Sequence, residues 1–548
     1  MMREYVIGID FGTLSARALL VDCKSGEEIG SSVFEYPHGV MDECLPNGTR
    51  LPALFALQDP ADYVDALKNT IPALLTKCKV VKEQIRAVGI DFTACTLMPV
   101  DENGTPLCQK AGFENEPHAY VKLWKHHSAQ KEADEVNEVA KKLGEKWAAR
   151  YSYKVSCEWA VPKILEIVKR APKVYAATAR FTEAGDWICR VLTGKESHAA
   201  AFAGYKALWS KGDGYPSKEF FGALHKDLED IVGTKLSEDI SPVSDIAGRI
   251  DQNGASITGL AEGTPVALSM IDAHAAMPAL GICKNNTLMM VLGTSTCHIV
   301  NSDTESSIEG VCGVVRDGVF PGCYTYEAGQ ACCGDHFDWF VRNALPSEYE
   351  KEARDRGVSP HLVLRERAQR LRPGESGLLA LDWFNGNRST LMDADLSGMI
   401  LGMTLATRPE EIYRALIEAT AFGTRMIIDA FVNGGVEIND IVAGGGIAKK
   451  DEMMMQIYAD VTGREIKVGK SAQAGAFGSA LYAMVAANIE PDISSAAEKF
   501  GKVSDKIYRP IPENVEIYDR LYREYKTLYN YFGKENNVMK TLARASGK

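Results

Sequence analysis

The segment Val6-Ile7-Gly8-Ile9-Asp10-Phe11-Gly12-Thr13-Leu14-Ser15 decides the fold of this chain. An apolar run with strand character ends in an acidic residue, a glycine and two hydroxyl residues, and a second apolar run follows at residues 18–21. Two strands joined by a tight, amide-rich turn form a β-hairpin whose tip can hold a phosphate. The carboxylate of Asp10 can hold Mg²⁺ or its water shell against phosphate oxygens. The segment suggests nucleotide phosphate chemistry, but alone it fits an ordinary hairpin turn equally well.

The same signature returns in the second half of the chain. Residues 289–296 read Met-Met-Val-Leu-Gly-Thr-Ser-Thr, and a further apolar run leads away from them. Two such hairpins roughly 280 residues apart indicate a duplicated domain. A third loop, Ile-Val-Ala-Gly-Gly-Gly-Ile-Ala at residues 441–448, lies between a short strand and a predicted helix at residues 451–461. Three glycines let the backbone approach a ligand closely, and a helix N-terminus offers free amides; a flexible turn is the alternative.

These three loops, in this order, resemble those of the FGGY carbohydrate kinases in the actin-like ATPase superfamily. The resemblance extends from Tyr5 to about Arg509. It implies an α/β fold with two duplicated actin-like (ribonuclease H-like) domains flanking an interdomain catalytic cleft. Residues 1–283 would form an N-terminal domain that binds sugar and carries the first phosphate loop. Residues 284–548 would form a C-terminal domain that binds nucleotide and ends in a helical extension.

Four segments narrow the resemblance to the ribulokinase branch of that family: residues 10–17, 123–127, 271–274 and 381–389. The branch implies transfer of the γ-phosphate of ATP to the C5 hydroxyl of L-ribulose, in L-arabinose catabolism, with Mg²⁺ as cofactor. One departure is Leu14, where many relatives of the wider family have a hydroxyl residue. Thr13 and Ser15 would therefore carry more of the phosphate contact.

Composition agrees with a globular enzyme and excludes some classes of partner. The chain has 548 residues, enough for two or three domains, with 46% apolar and 24% charged residues. Its net charge of −12 argues against a general nucleic-acid or anionic-membrane surface. The partners expected are a small sugar and ATP. The oligomeric state is left open, with a homodimer among the alternatives.

Cysteine usage and the N-terminus point to the cytoplasm. The 13 cysteines are dispersed without a C-x-x-C pair, as expected of reduced thiols. The adjacent Cys332 and Cys333 fit core packing better than a redox site. A strand begins almost directly after Met1, which leaves no room for a signal peptide, and no run of about 18 apolar residues suggests a membrane helix.

The chemistry needs a base for a sugar hydroxyl proton, and Asp272 is the best candidate. It follows the apolar run at residues 266–271 and precedes a small residue, so its carboxylate would emerge at a strand end, where α/β sheets collect ligands. An isolated Asp after a strand is usually a helix cap, but the resemblance implies the catalytic aspartate at this position. His274 is interpreted as a structural histidine. His126 and His127 are discounted as a zinc site because adjacent side chains on a helix diverge.

The remaining site residues are implied by the resemblance. On the sugar side it implies Ala94, Trp124, Lys206 and Glu327 beside Asp272, although alone Lys206 would be an exposed lysine and Glu327 a loop carboxylate. On the nucleotide side it implies contacts from Gly12, Thr13, Ser15, Arg17, Thr294, Gly334, Gly445 and Lys449, with Asp10 at the metal. A cation, two carboxylates and an indole suit a small polyhydroxylated ligand.

Strand-like runs alternate with amphipathic helices along the chain, which indicates an α/β architecture. Helices are predicted at residues 132–149, 158–169 and 410–431, and a buried strand at residues 85–91. Within residues 513–532, Tyr518, Tyr522, Tyr525 and Tyr529 recur at helical spacing, as a packing face or, alternatively, a dimer surface.

Two other functions remain open. One is a kinase for a different ketopentose or polyol, such as xylulose or glycerol. The other is an actin-like ATPase that is not a kinase and uses nucleotide to drive domain motion. Asp272, Trp124 and the segment at residues 383–389 favour a kinase, because an ATPase of the second kind has no need of a sugar-sized polar pocket.

Overall fold

The computed structural model describes residues 3–545. Its strands are β1 (Tyr5–Phe11), β2 (Ser15–Asp22), β3 (Glu28–Glu35), β4 (Leu57–Gln58), β5 (Ile85–Phe92), β6 (Leu97–Val100), β7 (Val121–Lys122), β8 (Arg180–Glu183), β9 (Ile246–Arg249), β10 (Pro265–Ala267), β11 (Met270–Ile271), β12 (Thr287–Leu292), β13 (Thr296–Ser302), β14 (Gly313–Arg316), β15 (Tyr324–Gln330), β16 (Leu379–Leu381), β17 (Met399–Leu401), β18 (Asp440–Gly444), β19 (Ile466–Gly469) and β20 (Val503–Tyr508).

Its helices are α1 (Pro60–Cys78), α2 (Gln130–Leu143), α3 (Ala160–Arg170), α4 (Pro172–Ala177), α5 (Ala184–Thr193), α6 (Ala200–Lys206), α7 (Lys218–Leu224), α8 (Ile231–Thr234), α9 (Gln252–Thr258), α10 (Asp272–Ala279), α11 (Gly334–Ala344), α12 (Ser347–Arg356), α13 (Pro360–Ala368), α14 (Pro409–Asn433), α15 (Gly445–Lys450), α16 (Glu452–Thr462), α17 (Ala474–Ala486), α18 (Ile493–Phe500), α19 (Pro512–Asn530) and α20 (Val538–Ala545). Short 3₁₀ turns and one π turn at Tyr531–Glu535 complete the secondary structure.

The chain divides into two compact units. The first unit comprises Met1–Lys284, Val314–Thr325 and Gln473–Lys502, and the second comprises Asn285–Gly313, Tyr326–Ala472 and Val503–Lys548. Each unit is therefore built from separate stretches of sequence. No helix within residues 3–545 combines the length and the apolar character needed to cross a membrane.

Each phosphate-loop hairpin starts a mixed sheet. In the first sheet the order is β3-β2-β1-β5-β10-β9, with β11 also paired to β5; in the second it is β14-β15-β13-β12-β18-β19-β20. The predicted hairpins are confirmed, since β1 with β2 and β12 with β13 are antiparallel pairs. Parallel neighbours β5 and β18 then flank the first strand of each hairpin. The duplication inferred from the two glycine-threonine turns therefore appears as a repeated strand arrangement.

A late helix covers the first sheet at very close range. Gly8 and Gly89 are partners in the register of β1 and β5. A Cβ atom on Gly8 would lie 1.8 Å from the carbonyl oxygen of Ala476, and one on Gly89 would lie 1.9 Å from that of Ser479. Only glycine permits this approach of α17 to the two central strands. Residues far apart in sequence therefore complete one α/β layer.

The tyrosine stripe of α19 is a packing face, as the helical spacing predicted. Its four tyrosines are buried, and three of them lie within 6.0 Å of the ring of Phe422 on α14, measured between ring centroids. The side chains therefore fill the core of the second unit, and the dimer-surface interpretation of this stripe is wrong.

Candidate active site

A backbone hydrogen bond closes the turn of the first hairpin, and the hairpin brings together two charged residues of the predicted site. The amide of Gly12 donates to the carbonyl oxygen of Ser15 at 3.0 Å, which fixes the turn. Asp10 and Arg17 face each other across the two strands. Burial raises the pKa of the Asp10 carboxyl, and the guanidinium of Arg17 acts in the opposite direction. The turn thus presents backbone amides beside a carboxylate and a cation.

A second carboxyl group, that of Asp91, lies beside Asp10. The two residues are partners in the parallel register of β1 and β5, and Asp91 is fully buried. Its Oδ2 accepts a hydrogen bond from the Ser479 hydroxyl at 2.6 Å, while its Oδ1 has no donor among the described residues. Burial, followed by the charge of Asp10, raises the pKa of Asp91 well above its ordinary value. Two carboxyl groups therefore lie side by side on adjacent strands, the inner one fully buried.

Asp272 occupies the first residue of α10, directly after β11. It is half-buried, and its Oδ1 accepts a hydrogen bond from the amide of Ala273 at 2.6 Å. The Asp272 charge contributes to the raised pKa of Asp91, so the two carboxyl groups are close. Asp272 thus lies at a strand end, as the sequence predicted. The apolar run before it forms two short strands, β10 and β11, instead of one. The amide of Leu268 donates to Asp245 instead of the sheet, which separates β10 from β11.

Trp124 reaches the first phosphate hairpin. Its indole nitrogen donates to the Thr13 hydroxyl at 3.2 Å, and the side chain remains 38% exposed. The Gln58 amide holds the same turn by donating to the Thr13 carbonyl oxygen at 2.7 Å. The structure therefore brings together an apolar ring and a hydroxyl that the sequence assigned to different substrates.

Ala94 and Lys206 both lie in the first unit, and Lys206 is near Cys95, the residue that follows Ala94. Ala94 lies in the turn after β5, where Cys95 adopts a left-handed backbone with φ of 57°. Lys206 is buried at the end of α6, with its ammonium 5.7 Å from the centre of the Trp159 ring. Burial raises the pKa of the Cys95 thiol, and the positive charge of Lys206 is close enough to that thiol to act in the opposite direction. The exposed-lysine interpretation of Lys206 is therefore wrong.

Three glycine-containing segments converge in the second unit. A Cβ atom on Gly445 would lie 2.3 Å from the Leu292 carbonyl oxygen, and one on Gly334 would lie 2.9 Å from that of Gly293. Gly334 begins α11, and its amide donates to the Gly293 carbonyl oxygen at 2.9 Å. Thr294 is exposed at the tip of this arrangement. The second hairpin, the α11 N-terminus and the triple glycine thus form one backbone-lined surface.

Two further predicted residues lie in the second unit. Glu327 is buried on β15, not in a loop, and its carboxylate pairs with Arg388 at 3.0 Å. Lys449 lies at the end of α15 and donates to the carbonyl oxygen of Lys470 at 2.7 Å. The residues predicted to bind the sugar therefore lie in both units. Glu327 belongs to the second unit, and the other four belong to the first.

The oxygen atoms around Asp10 fit a hard divalent cation. Mg²⁺ is commonly bound by one or two carboxylates together with substrate phosphates and water. Asp10 supplies such a carboxylate next to the first hairpin turn, and the buried Asp91 lies beside it on the neighbouring strand. Within the described residues no cluster of three or more His, Cys, Asp or Glu side chains forms a dedicated metal cage. The donor set suits a metal that arrives with a phosphate ligand.

The helical placement predicted for His126 and His127 is wrong, whereas His274 has the structural surroundings expected of it. His126 and His127 lie in the turn between β7 and α2, not on a helix. His126 is buried against Glu166 at 3.0 Å, whereas His127 points to Glu158 at 3.1 Å. The ring of His274 packs edge-on against Tyr205 with centroids 4.4 Å apart. Each therefore has a local role in packing or hydrogen bonding.

Asp91 is the main residue that sequence reasoning missed. The predicted buried strand at residues 85–91 ends at this residue, but the tetrapeptide Gly8-Ile9-Asp10-Phe11 also recurs unchanged as Gly89-Ile90-Asp91-Phe92. The two copies pair in register on adjacent parallel strands. Repetition of the metal-side motif was the signal that could have identified the carboxyl pair.

Comparisons with known proteins agree with this geometry. The N-terminal domain of the FGGY family of carbohydrate kinases matches residues 5–279, and its C-terminal domain matches residues 288–487. A ribulokinase of Bacillus licheniformis is 52% identical, with 97% of both chains covered. A ribulokinase of Geobacillus thermodenitrificans is 51% identical over 99% of this chain and 97% of its own.

Solved structures share the fold. A xylulose kinase from Rhodospirillum rubrum superimposes with a TM-score of 0.78 at 22% identity, covering 96% of this chain and 98% of its own. Two family domains in order, spanning nearly the whole chain, explain the duplicated hairpins and sheets described above. This chain belongs to the FGGY family of carbohydrate kinases.

Proposed function

We propose that this chain transfers the γ-phosphate of ATP to the C5 hydroxyl of L-ribulose, giving L-ribulose 5-phosphate and ADP in arabinose catabolism. One observation carries the proposal: a protein named ribulokinase is 52% identical over 97% of this chain. The first unit contains carboxylates at strand ends, and each unit contains a hairpin turn lined by backbone, which are elements that such a reaction needs. A primary hydroxyl is also the least hindered nucleophile among those of the sugar.

Asp272 is the proposed general base. In its ionised form the carboxylate takes the proton from the C5 hydroxyl as the oxygen bonds to the γ-phosphorus, and the bond from that phosphorus to the bridging oxygen of ADP breaks. Its half-buried position at the first residue of α10 supports this role, because the carboxylate is reachable yet held by the Ala273 amide.

The sugar is proposed to bind to Ala94, Trp124, Lys206 and Glu327 beside Asp272. The buried ammonium of Lys206 and the buried carboxylate of Glu327 support selection by hydroxyl pattern. Buried polar groups lose their partners when a wrong epimer binds, which costs far more than a missing apolar contact.

The nucleotide is proposed to contact both phosphate hairpins and the glycine-rich surface of the second unit. Gly12, Thr13, Ser15 and Arg17 serve the phosphate from the first hairpin. From the second unit the proposed contacts are Thr294, Gly334, Gly445 and Lys449. The converging glycines support this assignment, because absent side chains and free amides let backbone approach a phosphate or nucleoside.

Asp10 is proposed to hold Mg²⁺, with Asp91 behind it. When bound, the metal neutralises charge on the transferred phosphoryl group. Arg17 adds a fixed positive charge on the same hairpin, and Asp91 orients the Asp10 carboxyl from the neighbouring strand.

A cytoplasmic enzyme is proposed as well, supported by the 13 cysteines, all of which are free thiols.

Phosphorus NMR of the product tests the proposal. Purified protein with Mg²⁺-ATP and L-ribulose should give ADP and a phosphate ester coupled to the two C5 protons. D-xylulose and glycerol serve as comparison substrates, and ATP alone as the control. An ester at C1, or faster use of another acceptor, would overturn the substrate assignment. ATP hydrolysis that is independent of every sugar would overturn the kinase assignment.

A further inference from the structure

Lys163 on α3 is a fully buried lysine whose ammonium donates to three backbone carbonyl groups. Its Nζ donates to the carbonyl oxygens of Cys95 at 2.5 Å, Leu123 at 2.9 Å and Lys122 at 3.3 Å. An ammonium group has three protons, so three convergent acceptors match its donor capacity. This arrangement joins the turn after β5 to the turn after β7.

Both turns carry proposed sugar contacts. Cys95 directly follows Ala94, and Leu123 directly precedes Trp124. In the first turn, Cys95 has a left-handed backbone conformation. That conformation costs free energy and needs support from its surroundings. Its far side is held as well, since the Thr96 amide donates to the Glu183 carboxylate at 2.8 Å.

The same face of α3 fixes the Trp124 turn a second time. Glu166, one turn after Lys163, accepts hydrogen bonds from Lys122 Nζ at 2.9 Å and from His126 Nε2 at 3.0 Å. Residues two positions before and two positions after Trp124 are thereby tied to one helix. The buried polar face of α3, formed by Lys163 and Glu166, thus organises both turns.

Burial of this lysine has an energetic cost that packing does not repay. Burial lowers the pKa of Lys163, because a charged amine loses hydration inside the protein. An apolar residue would fill the same space without that penalty, but it would leave three carbonyl groups without their donor. The ammonium is therefore suited to fixing geometry between turns.

We propose that Lys163 is a positioning residue for the sugar, acting through the backbone of the Ala94 turn and the Trp124 turn. The inference rests on the proposed function and on its sugar contacts. Lys163 itself does not touch the sugar; it sets the distance between the Ala94 backbone and the Trp124 ring. Its loss should weaken sugar binding while leaving nucleotide binding in the second unit unchanged.

The variant Lys163→Met tests this proposal, with Lys169→Met as the matched control. Lys169 is on the same helix but pairs at the surface with Glu135. In Lys163→Met we expect the KM for L-ribulose to rise by about 10- to 100-fold, the effect of an ångström-scale misplacement. The KM for ATP should change less than about twofold, and Lys169→Met should match the wild type in both constants. Equal KM values for L-ribulose in the wild type and Lys163→Met would refute the proposal.

Hydrogen exchange supplies a readout that does not depend on catalysis. Lys163→Met should exchange faster, by about tenfold or more, at residues 93–96 and 121–126, with no change at residues 441–447 in the second unit. Lys163→Gln, whose amide can serve two of the three carbonyls, should give intermediate exchange and an intermediate KM.

The outcomes separate the two proposals. A wild-type protein that phosphorylates no ketopentose refutes the proposed function, while exchange at the two turns still decides the role of Lys163. Uniformly faster exchange over the whole chain, or failure of both Lys163 variants to fold, would make Lys163 a residue of general stability and would overturn its positioning role.

Discussion

Gly445 and Gly446 are adjacent in sequence, yet alanine should have opposite effects at the two positions. Gly445 has φ of 89°, and a Cβ atom there would lie 2.3 Å from the Leu292 carbonyl oxygen, inside the 3.0 Å that real Cβ contacts respect. At Gly446 a Cβ atom would meet nothing within 4 Å, and φ is not positive. The pair therefore separates a backbone requirement from a general preference for glycine.

The expected magnitudes follow from these distances. Forcing an L-residue into the left-handed region costs about 1–2 kcal/mol, and moving the strand end aside costs a further 1–3 kcal/mol or so. Gly445→Ala should therefore lower the free energy of unfolding by about 2–5 kcal/mol. Gly446→Ala, inside α15, should leave it unchanged or raise it by about 0.5–1 kcal/mol, because alanine favours helix.

Urea unfolding of both variants, followed by circular dichroism, measures the difference. The KM for ATP adds a second readout: Gly445→Ala should raise it by displacing the second hairpin, with the KM for L-ribulose less affected. If Gly445→Ala is as stable as Gly446→Ala, the close approach between α15 and β12 does not constrain this position, and the reasoning fails.

Two further predictions concern single side chains. Asp272→Asn should retain sugar and nucleotide binding but lower kcat by about 10²- to 10⁴-fold, the contribution of a positioned acid–base group; near-normal turnover in a coupled ADP assay would remove Asp272 from the mechanism. Burial lowers the pKa of His198, but the nearby carboxylate of Asp186 and a hydrogen bond to Glu196 outweigh burial and raise that pKa to about 9. The pKa of His198 is higher in the folded than in the unfolded protein, so its ionic contacts stabilise the fold. This contribution is full below the unfolded pKa of 6.5 and is lost as the pH rises through about 9. The stability difference between wild type and His198→Gln should therefore shrink by about 2–3 kcal/mol between pH 6 and pH 10 in urea unfolding, and a constant difference would refute the ion-pair interpretation.

The hairpins and the strand-end position of Asp272 could be predicted because their signals are local. A strand, a glycine-hydroxyl turn and a second strand lie within twenty residues at Asp10, and chain connectivity forces them together. The helix at residues 410–431 and the tyrosine stripe of α19 were likewise readable from periodicity alone. Residue type and spacing are sufficient when the structure they describe is formed by neighbours in sequence.

The missed features depend on partners distant in sequence. Nothing around Lys163 indicates that its ammonium meets the carbonyl of Cys95, 68 residues away. A buried lysine and an exposed one have the same local pattern, as Lys206 also shows. The apolar pattern of α17 indicates a buried helix but not which sheet it covers, since periodicity carries no information about the packing partner.

The position of α17 has a consequence for synthesis on the ribosome. The strands of the first sheet, up to β11, emerge early, but the helix that lies on Gly8 and Gly89 follows only after roughly 200 residues of intervening chain. At about 5–20 residues per second, that interval is roughly 10–40 s. During it the nascent chain carries an uncovered apolar sheet face that chaperones can bind. A fragment that ends at residue 284 would keep this face exposed permanently, so it should aggregate when it is expressed alone.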